Sequence, residues 1–146
     1  MSHYCPAALV TCEDFRLHQR ADGRNCIADF IKKLGIDCDL ITRGGGVQDL
    51  VRPKEAGFDK SVLRDAEVSC KLHQARTIIL INHEDCGAYG SFNFTNREQE
   101  SRQHINDLKA AKQIILENFG DKEVKSYFAE LKQGSSDEFE IKEIKK

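Results

Sequence analysis

Two apolar runs of strand length, Ala7-Ala8-Leu9-Val10-Thr11 and Thr77-Ile78-Ile79-Leu80-Ile81-Asn82, each give way without a spacer to a polar motif. Cys12-Glu13-Asp14-Phe15-Arg16 follows the first, and His83-Glu84-Asp85-Cys86 follows the second. Both runs are rich in β-branched residues and read as strands. If the strands lie parallel, their ends meet at one sheet edge, where open α/β sheets bind ligands at a topological switch point. The two motifs then offer one imidazole and two thiolates to a single zinc ion, with room left for water.

The rest of the pattern alternates strand and helix. Asp22 can cap a helix whose apolar residues Ile27, Phe30, Ile31 and Leu34 share one face, and Gly35 ends it. A short strand over Asp39–Thr42 runs into a tight turn at Arg43-Gly44-Gly45-Gly46. A loop with Pro53 and Gly57 leads to a helix that Asp59 can cap, with Val62, Ala66 and Cys70 on one side. After Cys86 a Gly-, Phe- and Asn-rich loop over Gly87–Asn96 precedes a long helix from about Glu98 to Phe119. Its stripe is Ile105, Leu108, Ala111, Ile115 and Phe119, and Gly120 stops it. Val124–Leu131 reads as a strand, turned at Gln133-Gly134-Ser135-Ser136 into Phe139-Glu140-Ile141 and Ile144. The expected class is α/β: a mainly parallel central sheet with flanking helices and a C-terminal antiparallel edge hairpin. No repeat or linker divides the chain, so residues 1–146 are expected to form one domain.

Composition excludes several alternatives. With 22 basic against 24 acidic residues and a net charge of −2, the chain lacks the electrostatic footprint of a nucleic-acid or membrane-surface binder. The N-terminus Met1-Ser2-His3-Tyr4-Cys5-Pro6 has no leader pattern, and no apolar run reaches membrane-spanning length. A cytoplasmic protein is expected. In that reducing compartment six cysteines point to metal binding or plain burial rather than disulfides.

Zinc favours tetrahedral nitrogen and sulfur ligands, and its catalytic sites characteristically use three protein ligands. Cys12, His83 and Cys86 fit that count. Asp14 has two roles open to it: a fourth ligand that closes the site, or an acceptor for a zinc-coordinated water while Arg16 holds its carboxylate away. Arginine suits that second task because its fork pairs with a carboxylate in bidentate fashion.

Cys12-x-Asp14-x-Arg16 together with His83-x-x-Cys86-Gly87-Ala88 resembles the zinc-site signature of the β-class carbonic anhydrases. Arg43 with its glycine turn, Ser61-Val62-Leu63 and the hairpin around Lys132-Gln133-Gly134 agree with that family in order and placement. The resemblance implies a zinc enzyme that hydrates carbon dioxide to bicarbonate. Cys12, His83 and Cys86 would hold the metal, and Asp14, paired to Arg16, would orient the attacking hydroxide. It also implies a homo-oligomer, a dimer first, with sites near subunit interfaces. Three places depart from the family pattern: Phe15 stands where Ser is usual, Asn82 where Gly is usual, and Gly44 where Asn is usual. The chain also starts only a few residues before the first strand, whereas family members usually carry N-terminal helices that embrace the partner, so a different mode of pairing is expected.

Other candidates have plainer readings. Cys5, Cys26, Cys38 and Cys70 lack ligand company and are assigned structural roles. His18, two residues after Arg16, has the position of a proton shuttle, but a solvated or capping role is favoured for it and for His3, His73 and His104. Glu84 and Asp85 read as turn residues. Two rivals share the zinc site: a hydrolase of carbonyl sulfide or carbon disulfide, and a non-catalytic zinc-binding protein. A thiol–disulfide redox protein is disfavoured because no C-x-x-C is present.

Overall fold

Period-two alternation divides the side chains of each strand between the two faces of a five-stranded sheet. The computed structural model describes residues 3–145. Strands β1 (Ala7–Cys12), β2 (Cys38–Arg43), β3 (Thr77–His83) and β4 (Glu123–Leu131) are parallel, β5 (Phe139–Ile144) pairs antiparallel with β4, and the order across the sheet is β2-β1-β3-β4-β5. This is the expected α/β class.

Ala8 and Val10 of β1, Ile78 and Leu80 of β3 and Val124 and Phe128 of β4 pack on one side. They meet Val47 and Leu50, Val62 and Ala66, and Leu108, Ala111 and Ile115. Those partners come from α2 (Gln48–Val51) and the residue before it, α3 (Phe58–Leu72) and α4 (Arg97–Asn118). Ala7, Leu9, Ile79, Ile81, Tyr127 and Ala129 form the other face, beneath α1 (Cys26–Leu34). With both faces covered, β1 is buried at every position. That explains a continuous apolar run in place of polar alternation.

Helix boundaries correct the sequence reading in two places. Asn25, not Asp22, caps α1: its Oδ1 accepts from the Ala28 N–H at 2.9 Å. Asp22 instead accepts from the Arg24 backbone N–H and side chain, closing the turn that precedes the helix. Gly57, in the left-handed region at φ 95°, occupies the cap of α3, leaving Asp59 inside the first turn, where a carboxylate favours the helix dipole. Gly35 ends α1 in the left-handed region, as expected. Helix α4 begins at Arg97 behind an Asn96 cap. Its buried stripe includes Leu108, Ala111 and Ile115 but also the polar Glu100, His104 and Asp107, while Ile105 is only half-buried. The four-residue α2 has no counterpart in the sequence reading, and two single 3-10 turns, Gly87–Tyr89 and Ser91–Asn93, lie within the expected Gly87–Asn96 loop. No helix among the described residues is long and apolar enough to cross a membrane.

Loss of the Asn25 cap should destabilise the protein by about 1 kcal/mol in Asn25→Ala. Urea denaturation is expected to show a larger shift for that variant than for Asp22→Ala, and the reverse order would restore Asp22 as the cap.

Candidate metal centre

Parallel register decides where the motifs meet. Leu9 pairs with Ile79 and Thr11 with Ile81, so Cys12 and His83 leave neighbouring strands at the same edge. Cys86 returns to that edge through a turn in which Asp85 takes a positive φ of 61°. The side-chain donor atoms of Cys12, His83 and Cys86 all lie within 4.8 Å of one another, and all three residues are buried. The sequence singled out these three, and the fold brings them together.

Their geometry fits a metal ion. The two sulfurs stand 3.9 Å apart. Two thiolates each about 2.3 Å from one tetrahedral zinc would be about 3.8 Å apart. His83 Nδ1 lies 2.7 Å from the Glu84 carbonyl, to which it donates. That bond leaves Nε2 as the lone-pair nitrogen of the neutral ring, and this buried atom has no hydrogen-bond partner. An orphaned, buried imidazole nitrogen beside two thiols is costly unless something binds it. The Phe139 ring closes one side, edge-on to His83 at 5.5 Å.

Charge in the cluster is polarised. The Cys12 thiol is lowered to about 4: the Cys86 S–H donates to it, burial opposes, and His83 and the Gly45 N–H add to the stabilisation. The Gly45 N–H approaches Cys12 Sγ at 3.4 Å, which puts the glycine turn in the cluster. Cys86 is pushed up, first by the same shared proton and then by burial. Burial works against a charged His83, but its closeness to the Cys12 sulfur and its bond to the Glu84 carbonyl outweigh it and raise its pKa.

Asp14 and Arg16 form the expected pair beside the cluster. Arg16 Nη2 donates to Asp14 Oδ2 at 2.8 Å and Nε to Oδ1 at 3.1 Å, and the Arg16 backbone N–H also donates to Oδ1. The remaining N–H groups of Arg16 reach Asp85 Oδ2, the Asp85 carbonyl and the Ser136 carbonyl at 2.9–3.0 Å, so all five donors are used. Burial resists ionisation of Asp14, but the Arg16 bonds prevail and hold its carboxyl below the usual range. Asp14 Oδ2 stands 3.8 Å from His83 Nε2. Asp85, read as a turn residue, thus also braces Arg16 together with the hairpin turn.

Glu84, also read as a turn residue, is buried. Its Oε1 accepts from the Leu131 N–H at 2.8 Å and its Oε2 pairs with Arg97 at 3.0 Å, tying the end of β3 to β4 and α4. His18 Nε2 lies 2.8 Å from the Cys12 carbonyl and so donates to it, a bracing contact rather than a shuttle geometry. His73 bonds Asp39, and His3 is exposed. His104 is neither solvated nor capping but fully buried. Its place four residues before Leu108 and seven before Ala111 was the signal that it faces inward. Cys5, Cys26, Cys38 and Cys70 stay outside the cluster, and burial raises the last three, Cys38 to about 11.

Comparison with known proteins agrees with this architecture. Residues 3–144 match the family model described as "Putative carbonic anhydrase". An uncharacterized protein of Rickettsia bellii is 31% identical over 117 residues, which is 76% of this chain and 68% of the relative. The carbonic anhydrase from Glaciozyma antarctica superposes with a TM-score of 0.54 at 18% identity, covering 97% of this chain and 83% of that one. The β-carbonic anhydrase isoform I of Trichomonas vaginalis gives 0.54 at 16% identity, with 99% and 86% covered. At such identities the superpositions speak for the fold alone.

In metal-free protein at neutral pH, the lowered Cys12 predicts a thiolate absorbance that survives mild acidification and is lost only toward about pH 4. Cys12→Ser should abolish it, and a band that titrates in the ordinary thiol range would contradict the assignment. With the match running nearly end to end, the chain belongs to this carbonic anhydrase family as a divergent β-carbonic-anhydrase-like member.

Proposed function

We propose that the protein catalyses reversible hydration of carbon dioxide to bicarbonate, with zinc held by Cys12 Sγ, His83 Nε2 and Cys86 Sγ. The observation that supports this most is the buried His83 Nε2 without a partner, beside two sulfurs at ligand spacing and an aspartate already tied to arginine. Two thiolates and one imidazole suit a divalent, borderline-soft cation. Zinc in such a donor set supplies Lewis-acid activation, making water a nucleophile near neutral pH.

The remaining contributions are the chain's own. Asp14 Oδ2, at the rim of the cluster, accepts a hydrogen bond from the reacting water and turns its lone pair toward the carbon of carbon dioxide. Arg16 keeps that carboxylate ionised and holds it in place through its fork. Because its pKa is lowered, Asp14 does not store the proton released by hydration, which passes to solvent or buffer. Phe139 and the Gly44–Gly46 turn wall the cluster and limit water around it. We place this activity in the cytoplasm, where six unpaired cysteines suit a reducing compartment. We also assign it to a single domain spanning the chain, which works as a homodimer.

Stopped-flow carbon dioxide hydration on protein of measured zinc content, at about pH 7 and about pH 8.5, tests the proposal. Fast turnover abolished by a chelator is expected. Asp14→Ala should lose about 10²-fold or more in kcat/KM while keeping its zinc. Full zinc occupancy without hydration at either pH would overturn the hydratase reading, and loss of zinc in Asp14→Ala would make Asp14 a ligand.

A further inference from the structure

Behind the cluster a line of buried polar side chains joins β3 to α4. Asn82 is 1% exposed, His104 0%, Asp107 3% and Glu100 5%. Five hydrogen bonds fix its direction. The Val47 N–H donates to Asn82 Oδ1 at 3.0 Å, so the Asn82 amide nitrogen must point the other way. That nitrogen donates to His104 Nδ1 and to the Tyr89 hydroxyl, each at 3.0 Å. His104 Nδ1 is therefore the acceptor, and its Nε2 carries the proton and donates to Glu100 Oε2 at 3.3 Å. Tyr89, its oxygen accepting from Asn82, donates to Asp107 Oδ2 at 2.6 Å, and Asp107 is held by Arg52.

Each end of this line touches a segment that carries a candidate ligand. Asn82 immediately precedes His83. Through Val47 it holds the glycine turn whose Gly45 N–H meets Cys12 Sγ. Through His104 it orients Glu100, whose Oε2 accepts from the Cys86 backbone N–H at 3.2 Å. Through Tyr89 it fixes the first turn after Cys86. Space matches the bonding: Gly46 has φ 58°, and a Cβ there would collide with Asn82 Oδ1.

We propose that Asn82, acting with His104, Glu100 and Tyr89, is the positioning residue that holds the segments bearing Cys12, His83 and Cys86 at metal-binding spacing. The inference rests on the metal-centre reading above and extends it to residues that touch neither metal nor substrate. A hydrogen-bonded shell of this kind sets ligand orientation, and its loss weakens metal affinity by about 10- to 100-fold.

Cobalt(II) titration of the metal-stripped protein, read by the ligand-field and thiolate charge-transfer bands, tests it without any assay of turnover. Asn82→Gly and Glu100→Ala should bind cobalt about 10-fold or more weakly with shifted bands. Glu100→Gln, which keeps an acceptor for both N–H groups, should return to within about threefold of the parent. Tyr89→Phe removes the bonds to Asn82 and Asp107 without opening space, so it serves even where the larger changes prevent folding, and it should weaken binding at least about twofold. Parent-like affinity and bands in every folded variant would overturn the positioning role while leaving the metal centre intact. Failure of the parent itself to bind cobalt or zinc would overturn both.

Discussion

The parallel pairing of β1 with β3 is the constraint on which the rest depends. A parallel ladder in register aligns the two carboxyl ends, so the residues that follow Thr11 and Asn82 leave the sheet together. That alignment is possible because both strands are apolar along their middle residues and covered on both faces, by α1 on one side and α2–α4 on the other. A slip of one residue would turn Leu9, Ile79 and Ile81 to the opposite layer and separate Cys12 from His83. The core thus specifies the site before any ligand chemistry acts.

Electrostatics then divide the labour at the edge. Cys12 gains a proton donor in Cys86 and further stabilisation from His83 and the Gly45 N–H, while Asp14 is drawn off to Arg16. Arg16 is committed through all five donors to Asp14, Asp85 and the Ser136 carbonyl. The carboxylate nearest the cluster is therefore held by a partner that is itself braced from two other segments. The same strategy recurs on the far side, where the Asn82 side-chain oxygen and nitrogen are bound by groups from three segments. Buried polar groups of this kind are costly when half-satisfied and restrict the backbone when fully paired.

The parts legible in the sequence were those carried by local pattern. Strand runs ending in Cys12 and His83 announced the sheet edge, and the spacing of Asp14 and Arg16 announced their pairing. The cap of α1 was ambiguous because Asp22 and Asn25 are both competent caps. Only the turn closed by Asp22 onto Arg24 assigns the cap to Asn25. Helix α2 is too short to show a period. The partners of Asn82 lie at Val47, Tyr89 and His104, so no window of sequence could join them. Glu100 and His104 were visible in principle, since both continue the buried stripe of α4, but a polar residue on an apolar stripe does not name its partner. Bracing of Arg16 by Ser136 depends on the hairpin turn returning to β1, which is a property of the closed fold alone.

The proposed chemistry requires a zinc ion held by two sulfurs and one imidazole nitrogen. Zinc K-edge X-ray absorption on the purified protein tests it directly. Two Zn–S distances of about 2.3 Å, one imidazole nitrogen at about 2.0–2.1 Å and one further light-atom ligand are expected. A shell of light atoms alone, or sulfur scattering unchanged in Cys12→Ser and Cys86→Ser, would contradict it.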